Sequence, residues 1–185
     1  LREELNVARA MGIVSSRPRR GTRLESYDFT PAVLISLLFG LGTGDAEFSQ
    51  FSKLRRAIET SFWDDAVRLL TSEDKAELDK IVAAAWERLR GKPIHVPNKE
   101  HRQFHLKIFS RLDNPFVQGI LEAYWEAYAA SELTMLASYE YWTAVWKYHE
   151  DIANALRNDK FDQGLQLLQN HFDLLADHPE EEPTV

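Results

Sequence analysis

Six histidines are the residues best placed to do chemistry in this 185-residue chain, because the sequence contains no cysteine. Without thiols there is no disulfide framework, no thiolate zinc finger and no cysteine nucleophile, which leaves imidazole and carboxylate for any metal work. His101 and His105 stand at i and i+4, so a helix would place them on one face as a two-pronged clamp for a metal. His149 and His171 fall on two later helical segments. The turn-forming pair Asn158-Asp159 lies about midway between them, so an antiparallel helix pair could bring the rings level. Spacing alone also allows a plainer reading, in which the i, i+4 pair is a partly buried surface pair. His95, in a proline-flanked loop, and His178, in the acidic tail, read as solvated.

Other catalytic signatures are weak or absent. His149-Glu150-Asp151-Ile152-Ala153 begins like the H-E-x-x-H zinc motif but puts alanine where the second ligand belongs. No glycine loop for phosphate and no G-x-S-x-G elbow occurs. A metal-dependent helical enzyme that activates water at the histidines would need a general base. Glu100 and Glu150, each adjacent to a histidine, would point about 100° away around their helices.

The elements that must position these histidines are helical. A hydrophobic content of 44% with 28% charged residues is the balance of a chain that buries a core. From residue 31 onward the apolar spacing follows a helical period. Leu54, Ile58 and Phe62 form one stripe, widened by Trp63, Val67 and Leu70. Thr71 to Asp74 offers a capping box for a second helix, carrying Leu78, Ile81, Val82, Ala85, Trp86 and Leu89 and ending before Gly91. Asn98 is expected to cap a helix reaching about Leu112, and Asn114-Pro115 to start the aromatic-rich segment after it. Helices over about 141–157 and from there to about Ala176 follow, and residues 179–185 read as a disordered acidic tail. The expected fold is mainly α, an antiparallel helical bundle.

Residues 1 to 25 differ from the rest. They hold six arginines against three glutamates within a chain of net charge -7, so a basic segment precedes an acidic body. If nucleic acid is bound, this segment must do it, since phosphate contacts need clustered basic side chains. Leu5, Ala8 and Met11 have helical spacing up to Gly12. Ile13-Val14 and Arg23-Leu24 then flank a turn studded with Arg17, Arg19 and Arg20, as in two strands joined by a basic loop. A solvated basic loop would have the same composition. No stretch reaches the roughly 18–20 apolar residues of a membrane span. The chain starts with Leu and without a signal peptide, so a missing N-terminal segment and a cytoplasmic, membrane-free setting are expected.

Together these segments resemble a bacterial transcription regulator of the GntR superfamily, FadR subfamily, with a C-terminal FCD effector domain. The resemblance rests on Leu1-Arg2-Glu3-Glu4-Leu5 and Gly12-Ile13-Val14 at the end of a recognition helix and first wing strand, and on Arg17 to Thr22 as the wing turn. Arg55-Arg56-Ala57-Ile58-Glu59 matches R-x-x-[LI]-E. His101 to His105 matches D-x-x-F-H, followed by Asn114-Pro115, and His149 and His171 fall on the family's last two metal-ligand positions.

The resemblance implies a winged-helix remnant with a β-hairpin wing over residues 1–26, an all-helical effector-binding and dimerisation domain over 27–178, and a tail over 179–185. It implies a ligand-responsive regulator and not an enzyme, a homodimer, and operator DNA contacted through Arg2, Arg17, Arg19, Arg20 and Arg23. His105, His149 and His171 would hold a divalent metal, with His101 as a fourth ligand. Metal-binding relatives mostly have Asp at that place, and four imidazoles favour zinc or nickel over manganese or magnesium. A small carboxylate or sugar acid would bind beside the metal, paired with Arg55. Trp142 and Trp146 share a helix face with His149 and would wall the pocket. In the plainer alternative the tryptophans are core and Arg55 forms a surface pair with Glu59.

Overall fold

In a computed structural model, residues 2–130 and 138–176 are described. In chain order the elements are α1 (Arg2–Ala10), β1 (Val14–Arg17), β2 (Gly21–Leu24), α2 (Thr30–Thr43), α3 (Phe48–Ser61), α4 (Trp63–Val67), α5 (Ser72–Arg90), α6 (Asn98–Phe109), α7 (Pro115–Ala130), α8 (Tyr139–Arg157) and α9 (Phe161–Ala176). The fold class is mainly α with one two-stranded antiparallel hairpin among the described residues, as the sequence leads one to expect. His178 and the tail from 179 lie outside the described residues. No helix among them is long and apolar enough to cross a membrane.

The chain divides into two compact units, one of residues 2–55 with 113–127, the other of 56–112 with 128–130 and 138–176. In the first unit α1 ends where Gly12 turns into the left-handed region at φ 70. The amide of Ile13 donates to the Ala8 carbonyl at 2.9 Å and that of Gly12 to Arg9 at 3.1 Å, a Schellman closure that satisfies the helix's last carbonyls. The hairpin follows directly, with Val14 opposite Leu24, Ser15 opposite Arg23, Ser16 opposite Thr22 and Arg17 opposite Gly21. Directly opposed residues share a face, so Arg17 and Arg23 project from the same side. Arg19 takes φ 63 in the turn, an unusual conformation for a side chain with a Cβ. On α7 of this unit, Gly119 faces Phe29 so closely that a Cβ would come within 2.7 Å of the Phe29 Cβ. Phe116 packs edge-on to Phe29 at 5.1 Å.

The second unit holds the larger core, including Trp63, Leu78, Phe104, Ile108, Val145, Ile152, Leu156 and Leu168, each fully buried. α8 packs on both α5 and α9, while α6 lies against α5 and α4. α5 starts as its sequence requires. Thr71 Oγ1 accepts from the Asp74 amide at 3.3 Å, and Asp74 Oδ2 accepts from the Thr71 amide at 2.9 Å. The hinge between α8 and α9 is a second Schellman closure. Asp159 adopts φ 55, the Lys160 amide donates to the Ala155 carbonyl at 2.9 Å, and the Asp159 amide to Leu156 at 3.2 Å. α9 then comes so near Trp63 that a Cβ on Gly164 would lie 2.8 Å from the indole, whose Nε1 donates to the Phe161 carbonyl at 3.0 Å.

Three expectations need correction. The stripe from Leu54 to Leu70 is not one helix, because the chain breaks at Phe62 between α3 and α4. Leu54 is 45% exposed, and the buried side of α3 carries Arg55 and Glu59 instead, at 2% and 0% exposure. Asn98 does not cap α6. It is the first helical residue, preceded by Pro97, which has no side-chain oxygen to offer the amides, and the helix stops at Phe109 and not near Leu112. α8 starts at Tyr139, two residues before Tyr141, with the Ser138 hydroxyl accepting from the Tyr141 amide at 3.1 Å.

Candidate metal centre

The four histidines come from three helices of the second unit, and their burial follows from the faces on which they lie. On α6 the inward face is Glu100, His101, Phe104, His105, Ile108 and Phe109. His149 shares the inward face of α8 with Trp142, Val145, Trp146 and Ile152. His171 follows one turn after Leu168 on α9, and all four imidazoles are buried to within 1%. Because the α8–α9 closure leaves comparable lengths of helix on either side, the rings of His149 and His171 meet with centroids 4.5 Å apart. His101 lies 4.9 Å from His149 and 5.1 Å from His105 by the same measure.

One ring nitrogen from each histidine can be chosen so that all four lie within 4.8 Å of one another. A tetrahedral zinc with bonds of 2.0–2.1 Å would need them about 3.3 Å apart. The edge between His105 Nε2 and His149 Nε2 is already 3.1 Å.

The tautomers follow from the outer partners. His149 Nδ1 lies 2.7 Å from the Val145 carbonyl, an acceptor, so this nitrogen carries the proton. His105 Nδ1 lies 2.8 Å from Glu59 Oε2, and an ionised carboxylate likewise takes the ring N–H. In neutral rings this leaves lone pairs on both Nε2 atoms, facing each other inside the protein. A cation between them turns that repulsion into coordination, and two Nδ1 anchors of this kind are what oriented metal ligands have.

Aromatic side chains enclose the cluster. Trp146 lies against His149 at 4.7 Å, Phe104 against His149 at 4.6 Å, and Trp142 faces His101 edge-on at 6.0 Å. The indole nitrogens of Trp142 and Trp146 are buried, with no hydrogen-bond partner among the described residues. Glu100 and Glu150, the carboxylates adjacent to histidines in sequence, are engaged elsewhere. Arg88 Nε donates to Glu100 at 2.7 Å, and Lys147 to Glu150 at 3.1 Å. An open groove of about 970 Å³ between α5 and α8 includes none of the four histidines in its lining, and Arg157 pairs across it with Asp79 at 2.8 Å.

The arginines expected to bind DNA or effector lie in the first unit. Arg17, Arg19, Arg20 and Arg23 are exposed on the hairpin, and Arg2 begins α1. Arg55 is buried with its guanidinium 4.5 Å from the ring centres of both Tyr124 and Trp125, so the alternative of a solvated Arg55–Glu59 surface pair is excluded. Exposed His95 agrees with its reading as solvated. Glu59 is expected from the sequence only as part of R-x-x-[LI]-E and, in the plainer alternative, as a surface partner of Arg55, not as a neighbour of His105. The signal was there in the i, i+4 spacing of Arg55 and Glu59, which competes with the apolar stripe for the inward face of α3.

The FCD domain family matches residues 50–174. The chain belongs to the FCD domain family. The FCD part of the resemblance is thereby borne out. No curated protein matches the sequence. Among solved structures, a transcriptional regulator described as a GntR family member, from Pseudomonas syringae pv. tomato str. DC3000, superposes with a TM-score of 0.50 at 15% identity. The alignment covers 95% of this chain and 67% of that one, and at this identity it speaks for a shared fold. The FCD match includes all four histidines, Arg55, Glu59, Trp142 and Trp146.

Proposed function

We propose that this FCD protein is a ligand-responsive transcription regulator whose helical part binds one divalent metal and a small anionic effector, and that it is not an enzyme. The observation that carries the metal reading is the pair of Nε2 atoms of His105 and His149, 3.1 Å apart and each backed by a partner on Nδ1. His171 and His101 complete a four-nitrogen set, for which zinc or nickel is the best match. A metal bound there would act as a Lewis acid that draws a carboxylate oxygen into its coordination sphere.

The effector reading places a carboxylate or sugar acid beside that metal, walled by Trp142 and Trp146, with Arg55 as its charge partner. Two buried indole N–H groups without a hydrogen-bond partner among the described residues offer donors to an anion. In the wing reading, Arg17, Arg19, Arg20 and Arg23, together with Arg2, contact operator DNA. The domain limits follow the same scheme, residues 1–26 for DNA, 27–178 for effector and dimer formation, and 179–185 as a tail.

The test is operator binding by the full-length dimer with and without a library of hydroxy acids, dicarboxylates and sugar acids, in parent and Arg55→Ala proteins. An anionic ligand that changes operator affinity supports the reading. An uncharged best ligand removes the anion premise, and equal ligand affinity in both proteins removes Arg55 from the site.

A further inference from the structure

Glu59 is a charged residue beside the histidines that the metal reading leaves without a role. Its carboxylate is fully buried on α3, 46 residues from His105 in sequence, and yet it lies 2.8 Å from His105 Nδ1. A buried carboxylate is costly to desolvate, so its retention in a core calls for a specific partner and a specific gain.

We propose that Glu59 is the positioning residue of the metal centre: by holding His105 Nδ1–H it presents Nε2 to the ion and supplies the negative charge that four neutral imidazoles do not. The inference rests on the metal reading above. The ring of His105 has two nitrogens and rotates about two bonds, so an anchor on Nδ1 fixes both its tautomer and its aim. His149 is anchored through the same atom, but by the neutral Val145 carbonyl. The two anchors therefore differ in charge, and only that of His105 strengthens the ligand electrostatically. This matters because His101 occupies a ligand position as a neutral imidazole, so a dication among four histidines meets no charge in its first shell. Glu59, one ring behind His105, brings a negative charge toward the ion.

The experiment compares zinc affinity, measured by competition with a chromophoric chelator, and the visible spectrum of the cobalt(II)-loaded protein, in the parent, Glu59→Gln and Glu59→Ala. Glu59→Gln can still accept from Nδ1–H through its amide oxygen, so it removes the charge and keeps the geometry. Glu59→Ala removes both. The expected result is a zinc affinity about 10- to 100-fold weaker in Glu59→Gln, weaker again in Glu59→Ala, with a shifted cobalt ligand-field band. Parent-like affinity and spectrum in both variants overturn the proposal and leave the metal reading intact.

Should the variants not fold, nitrogen-15 spectra of the zinc-loaded parent decide. A retained Nδ1–H on His105 with Nε2 coordinated is the expected pattern, and coordination through Nδ1 overturns it. A parent that binds neither zinc nor cobalt defeats the metal reading and this inference with it.

Discussion

His105 Nε2 and His149 Nε2 stand 3.1 Å apart at a point where both rings are fully buried. Because each ring donates its Nδ1 proton elsewhere, the pair is built as two acceptors aimed at one place. Metal binding to the native state alone should therefore raise stability by linkage. At free zinc one hundred times the dissociation constant the gain is about 2.7 kcal/mol. A thermal melt should show a metal-dependent shift in the parent and none in His149→Ala or His171→Ala.

The approach of α9 to Trp63 sets a second prediction. Gly164→Ala puts a methyl group 2.8 Å from a ring that is itself fully buried, so it should destabilise the protein by about 1–3 kcal/mol in urea unfolding. Gly42→Ala has open space around its new Cβ and a helical setting, and should be neutral or stabilising by up to about 1 kcal/mol.

Asp74 links the cap of α5 to two cations, Arg111 and Lys107, and its pKa is held well below the usual carboxylate range, first by the hydrogen bond from Arg111 and against the opposing effect of burial. The lowered folded value means that its contribution is present in full above the unfolded value near 3.9. It is lost as the pH falls from there through the folded value, because the unfolded chain then binds the proton first. Asp74→Asn should cost about 1–2 kcal/mol near neutral pH and flatten the acid limb of the stability curve below about pH 4. An unchanged acid limb would remove Asp74 from the account.

Much of this was legible beforehand, for reasons that differ by residue. Thr71 with Asp74, and Asn114 before Pro115, act locally, and local hydrogen bonding decides helix starts whatever packs around them. The histidine cluster could be anticipated because two i, i+4 ligands and a hinge midway between two more leave little freedom in where the rings go. The inward face of α3 was misread because Leu54 and Arg55 are neighbours, and tertiary packing, not local preference, chose which one faces the core. Glu59 could not be tied to His105 from spacing, since 46 residues and two intervening helices separate them.

For the wing, Arg19→Ala with Arg20→Ala in the full-length protein should weaken operator binding at all sequences tested. The slope of log affinity against log salt should fall in magnitude by about 2, one for each phosphate that an arginine no longer neutralises. Identical slopes in parent and variant would return the hairpin to a solvated turn.

Trp146→Phe keeps a six-membered ring near His149 and deletes the buried N–H together with the rest of the indole's five-membered ring. Zinc affinity should persist, while affinity for an anionic effector falls about 5- to 10-fold, the loss of one hydrogen bond. Equal losses of both would make the indole a packing element of the metal centre alone.

The central claim is that the four histidines form one metal site, and X-ray absorption of the zinc-loaded protein after desalting tests it most directly. The account predicts one zinc per chain with nitrogen neighbours at about 2.0–2.1 Å and the multiple scattering of imidazole rings. Zinc lost on desalting, or a shell of oxygens without imidazole scattering, would contradict it.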